Sequence, residues 1–129
     1  MNRDDVVDSN LAVERQDVFL VTQLTRGTAL SSIVAADLVE VEPNLESSMH
    51  RHNTAETVLY FMSGRGEVLL TADYIPIAVE AGDRLNIGKG VFHAVRTGES
   101  PLTFLSVQSP PILDVVAGTR DLEPITVPE

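Results

Sequence analysis

The imidazoles of this 129-residue chain number three, His50, His52 and His93. His50 and His52 stand two apart, and on a β-strand residues i and i+2 face the same side, so the pair can turn two rings toward one ion. Imidazole is the commonest protein metal ligand. Glu56 follows closely. Four residues of straight strand span roughly 13 Å, so Glu56 can share an ion with His52 only if the chain reverses at Asn53, Thr54 and Ala55 and returns antiparallel to the pair. His93 joins the group only if its strand lies beside that of the pair in a closed sheet; taken alone, it reads as a hydrogen-bonded histidine in an apolar strand.

Composition narrows the chemistry further. The chain has no cysteine, which excludes thiolate zinc sites, iron–sulfur clusters, disulfides and a cysteine nucleophile together. Any metal must be held by nitrogen and oxygen. Lys89 is the sole lysine, which argues against amine-based covalent catalysis. Nine basic against nineteen acidic residues give a net charge of -10, which repels nucleic-acid phosphates and anionic lipid head groups, so nucleic acid and membrane surfaces are poor partners. No apolar run approaches the ~18 residues of a membrane helix. Asp4, Asp5 and Asp8 stand where a signal peptide needs basic and then apolar residues, so a cytoplasmic protein is expected.

The elements that must position these groups read as β. Short runs rich in Val, Ile, Leu, Thr and Phe occupy residues 17–24, 32–41, 48–52, 56–62, 66–71, 75–79, 84–87, 92–97 and 102–108. Their punctuation is turn-like: Gly64-Arg65-Gly66, read as a hairpin, then Ala72-Asp73-Tyr74, Ala81-Gly82-Asp83 and Gly98-Glu99-Ser100-Pro101. Such spacing predicts a sandwich or barrel. A mass of 14.0 kDa fits one domain. The organisation expected is an amino-terminal arm or edge strand over residues 1–16, a barrel over 17–111, and an extension over 112–129 that wraps the surface or a neighbouring subunit. Ser109-Pro110-Pro111 ends the last barrel strand because proline cannot donate to the ladder.

Two segments carry a family resemblance. His50-Arg51-His52-Asn53-Thr54-Ala55-Glu56, running on to Ser63-Gly64-Arg65-Gly66, is similar to the first motif of the cupin superfamily; Gly82, then five residues, then Gly88-Lys89-Gly90-Val91-Phe92-His93, is similar to the second. The resemblance implies a single-domain double-stranded β-helix, a jelly-roll barrel with one metal at its mouth. Asn44, Gly88 and Thr97 depart from the motifs at turn positions. A fourth departure touches the site. Seven residues separate Glu56 from Gly64 where the family has six, a spacing that would put Thr57 at the ligand position. Either a bulge turns Glu56 inward, carrying Val58, Tyr60 and Met62 with it, or the site has three histidines and no carboxylate, with Leu59 and Phe61 inward. Threonine is a feeble ligand, so Glu56 is preferred and the expected set is His50, His52, Glu56 and His93.

That set suits Fe, Mn, Co, Ni or Zn over Ca and Mg, and the resemblance ranks Fe and Mn first. The ion would polarise a carbonyl or carboxylate, activate water or bind oxygen. Tyr60 and Gln108 are the candidate assisting residues, with Ser106, Arg84 and Arg96 behind them. The resemblance spans oxygenases, isomerases, lyases, decarboxylases and proteins without known catalysis. The expected function is therefore a metal-dependent enzyme acting on a small organic molecule; the alternatives are a metal-holding sensor and a metal-free barrel that binds a hydrophobic ligand or serves a structural role. A homodimer is expected, with residues 17–24 extending a partner's sheet.

Overall fold

A computed structural model describes residues 2–70, 75–111, 113–114 and 119–124. The turn expected at Ala72-Asp73-Tyr74 and much of the 112–129 extension lie outside the described residues. Among the described residues the helical elements are one turn, α1 (Arg3–Val6), and a 3-10 turn at Ala29–Ser32; the other regular elements are strands. The strands are β1 (Val13–Gln16), β2 (Phe19–Gln23), β3 (Ala35–Val41), β4 (His50–Arg51), β5 (Glu56–Leu70), β6 (Ile75–Glu80), β7 (Arg84–Ile87), β8 (His93–Arg96), β9 (Leu102–Ser109), β10 (Leu113–Asp114), β11 (Thr119–Arg120) and β12 (Glu123–Pro124). The sheet order is β1-β2-β3-β9-β5-β8-β4-β12, with β6 and β7 also on β5, and β10 and β11 form a separate ribbon. The chain is all-β, a curled sheet of double-stranded β-helix type. Among the described residues no helix is long and apolar enough to cross a membrane.

Strand β5 makes the barrel. Its first half pairs with β9 and β7, its second with β6 and β8, so one 15-residue strand serves both faces. The hairpin expected at Gly64-Arg65-Gly66 is absent; the segment is a bend within β5. The register shifts between Phe61 and Ser63, and this bulge switches the inward parity from Leu59 and Phe61 to Val68. Both glycines serve close approach. Gly64 has φ +78, and a Cβ there would sit 1.8 Å from the Pro101 carbonyl oxygen; one on Gly66 would sit 2.8 Å from that of Arg96. Asn44, at a motif position usually held by glycine, has φ 60, a left-handed conformation that asparagine tolerates better than most side chains.

Cross-strand register sorts the inner face of β2, β3, β9 and β5 into rows. Val21, Val39, Phe104 and Phe61 form one apolar row, in the heart of the core. The next row holds Gln23, Asp37, Ser106 and Leu59, and beyond it stand Ala35, Gln108 and Thr57. The barrel thus grades from an apolar end to a polar one. Residues 17–24 do not supply the sheet edge, because β2 lies between β1 and β3. Strand β1 stands outermost.

Candidate metal centre

His50 and His93 are direct cross-strand partners on β4 and β8, and His52 lies two residues beyond His50 on the same face. The rings converge, with centroids 4.4 Å apart for His50 and His93, 5.3 Å for His50 and His52, and 5.2 Å for His52 and His93. One ring nitrogen of each lies within 4.8 Å of the other two. His52 and His93 are buried and His50 half-buried.

Each ring is also oriented from behind. The Nδ1 of His50 meets the Ser48 carbonyl at 3.2 Å, that of His52 the Asp121 carbonyl at 2.6 Å, and that of His93 the Val91 carbonyl at 3.0 Å. A carbonyl oxygen only accepts, so Nδ1 carries the proton in all three rings and Nε2 keeps a free lone pair. Burial, then the neighbouring His52, lowers the His50 pKa. Burial, then His50, lowers that of His93 to about 3. Neutral imidazole is the form a metal requires.

Glu56 does not join the group. It is exposed, whereas Thr57 is buried and turned inward with Leu59 and Phe61. The reason lies in the turn. It is capped by the Asp121 carboxylate, which accepts from the backbone amides of Asn53 at 2.7 Å, Thr54 at 2.9 Å and Ala55 at 3.0 Å, and from Thr54 Oγ1 at 2.8 Å. Burial raises the Asp121 pKa, but the donors from Thr54, Asn53 and Ala55 outweigh it and hold the carboxyl at about 2. With the turn so held, β5 enters the sheet with Thr57 opposite Gln108. Glu56 therefore stands apart from the cluster of His50, His52 and His93.

Tyr60 likewise points outward, 46% exposed, beside Arg84. Arg96 is occupied on the surface by Glu67 at 2.9 Å and Glu46 at 3.5 Å. Gln108 and Ser106 do face the interior. With Thr57, Asp37 and the three histidines they line one cavity of about 430 Å³, whose remaining wall combines apolar residues, among them Phe19, Val39, Leu59 and Phe104, with the polar and charged stretch from Glu14 to Asp17. The Gln108 amide donates to Ser106 Oγ at 3.2 Å. Among the described residues, Gln108 Oε1 and Thr57 Oγ1 are buried without a hydrogen-bond partner.

Asp37 escaped the sequence reading. It stands in the mainly apolar run of β3, its register neighbours are Gln23 and Ser106, and burial raises its pKa to about 6. A charged side chain at an inward strand parity was the available signal.

The Cupin domain family matches residues 37–108, more than half of the chain. The chain belongs to the cupin family. No curated protein matches this cupin. Among solved structures it is similar to the polyketide cyclase RemF from Streptomyces resistomycificus, with TM-score 0.71 and 21% identity over 100% of this chain and 88% of that one. An uncharacterized conserved protein with a double-stranded β-helix domain from Klebsiella pneumoniae superposes with TM-score 0.68 at 17% identity, over 98% and 96% of the two chains. Oxalate decarboxylase from Lactobacillus farciminis gives TM-score 0.70 at 18% identity over 97% of this chain, which spans 41% of the decarboxylase. At these identities the likeness is one of fold.

Proposed function

We propose that His50, His52 and His93 hold one divalent transition-metal ion, and that the chain is a metal-dependent cupin enzyme acting on a small organic molecule in the 430 Å³ cavity. The observation that carries this reading is the shared orientation of three inward rings, each with Nδ1 tied to a backbone carbonyl. Such ties fix the tautomer and raise the basicity of a ligating imidazole. The donor set fits Fe, Mn, Co, Ni or Zn, with Fe and Mn preferred on the family resemblance. Among structural relatives, a polyketide cyclase and an oxalate decarboxylase are enzymes by name, which supports turnover.

A bound ion supplies Lewis-acid polarisation and charge stabilisation to an oxygen of the substrate. The rest falls to the chain's own residues. With Glu56 on the outer face, three neutral imidazoles leave the full dipositive charge, so a substrate with a carboxylate or enolate oxygen completes the site best. Thr57 Oγ1 and Gln108 Oε1, buried and without a partner among the described residues, become available to its polar substituents on a small side-chain shift, Gln108 then accepting from a hydroxyl or amine. Phe19, Val39, Leu59 and Phe104 exclude water from its apolar part. Asp37 takes or returns a proton near neutral pH, because burial brings its pKa into that range. Proton transfer of this kind serves isomerase, lyase, cyclase or decarboxylase chemistry.

The test is metal analysis of protein purified without chelator, followed by reconstitution. One ion per chain is expected; far less than one, with none gained on reconstitution, rejects the reading in favour of a metal-free barrel. A screen of small keto acids, diketones and sugar acids then separates an enzyme from a sensor. In the enzyme, Asp37→Asn keeps the ion and loses most of the turnover.

A further inference from the structure

The three rings differ in what orients them. His50 and His93 use the carbonyls of Ser48 and Val91, two residues earlier in the same stretch of chain. His52 uses Asp121, 69 residues away. Strand β4 ends at Arg51, so His52 and the turn that follows lie beyond the ladder, with backbone amides that still need acceptors. The Asp121 carboxylate accepts from three of them, Asn53, Thr54 and Ala55.

The contact continues along the chain. Glu123 pairs with Arg51, whose Nη2 lies 3.0 Å from Oε2, and accepts from Asn53 Nδ2 at 3.0 Å. The backbones of Glu123 and Pro124 run antiparallel to Arg51 and His50, and Leu122 and Pro124 line the cavity. One short segment therefore sets a ring tautomer, pins the turn that carries the ring, and closes a wall of the site.

We infer that residues 121–124 are a strap that pre-organises the centre, with Asp121 as its positioning residue, and that strap docking and metal binding reinforce each other. The inference rests on the proposed three-histidine metal site. When the strap is docked, Nδ1 of His52 donates to Asp121 and Nε2 is free for the ion; when it is undocked, nothing holds the proton at Nδ1. An ion that needs Nε2 unprotonated binds the docked state better, and by linkage it stabilises docking by the same factor.

The experiment uses the full chain, with Co(II) as probe. Asp121→Ala keeps the main-chain carbonyl that meets His52 and removes the carboxylate that pins the turn to the strap; by loosening docking it is expected to weaken Co(II) binding by about 10-fold, the low end for loss of a partner that orients a metal ligand. In the metal-free variant the ¹⁵N shifts of His52 are expected to move away from the Nδ1–H tautomer while those of His50 and His93 stay. In the unaltered chain Co(II) is expected to slow hydrogen exchange at the amides of Asn53, Thr54 and Ala55, a measurement that needs no variant to fold. Glu123→Ala, which leaves Asp121 intact, gives a smaller loss of affinity. The strap is overturned if Co(II) binds an Asp121→Ala/Glu123→Ala chain, which lacks both side-chain anchors, within twofold of the unaltered one with the His52 tautomer unchanged, or if Co(II) binds the unaltered chain and leaves those amides as they were. Failure of the unaltered chain to bind Co(II) at all is a different result, which removes the metal site and the strap with it.

Discussion

At the residue scale the site depends on which of two neighbours faces inward. Glu56 is exposed and Thr57 buried, so Glu56→Gln is expected to keep one ion per chain with affinity within about twofold. His93→Ala should lose roughly a hundredfold or more, since removing a ligand costs at least what removing its orienting partner does. Calorimetric titration with Co(II) reads both. A second expectation concerns pH in the metal-free protein. His93 has a folded pKa of about 3 against an ordinary 6.5, so the unfolded chain takes up a proton that the folded one refuses. Its contribution to stability is complete above pH 6.5 and is lost as pH falls toward 3. Asp37 acts in the opposite sense. With its pKa raised from 3.8 to about 6, it favours the fold below pH 3.8 and opposes it as pH rises through 6. Urea midpoints should therefore show Asp37→Asn to be more stable than the parent at pH 7 and nearly equal to it at pH 3.5. The shared face of His50 and His52 was legible because residues i and i+2 of a strand point the same way, whereas the place of His93 beside them rested on the family resemblance. The inward choice between residues 56 and 57 was not, because the turn before them is held by Asp121, far away in sequence.

At the scale of elements, β5 carries the architecture by bending from one set of partners to another. Its bend requires Gly64, whose φ is +78 and whose absent Cβ would meet the Pro101 carbonyl oxygen at 1.8 Å. Gly64→Ala is expected to destabilise by about 2 kcal/mol or more, from left-handed backbone cost plus collision. Gly82, with φ +96 and open space around it, provides the control. Gly82→Ala carries the backbone cost alone, about 1 kcal/mol. Equal losses in urea denaturation would contradict the close approach. This bend was misread as a hairpin because glycine marks a reversal and a kink within a strand alike. Most other strands were legible from apolar runs bounded by turn residues, as for β3, β7 and β9. Strand β12 was not; Glu123 and Pro124 have no strand pattern of their own and form a strand only by pairing with β4.

At the scale of the whole molecule, the fold is a polar-ended barrel. Register places its apolar row, Val21, Val39, Phe104 and Phe61, away from Gln108 and Thr57, so the hydrophobic core supports the site without filling it. That grading follows from alternate residues of β2, β3 and β9, but it emerges only once their register is known, which single strands do not reveal. Strand β1 lies at the sheet's outer end, with Val13 exposed, and an outermost strand of this kind pairs readily with a second copy. A homodimer is expected in light scattering at micromolar concentration, and a monomeric mass would contradict pairing through β1. The account as a whole is tested most directly by an anomalous-scattering map from crystals grown with Mn(II) or Co(II). It predicts a single peak about 2.0–2.3 Å from the Nε2 atoms of His50, His52 and His93, with Glu56 outside the coordination shell. A map with no peak among the three rings, or with the ion bound by Glu56, would contradict it.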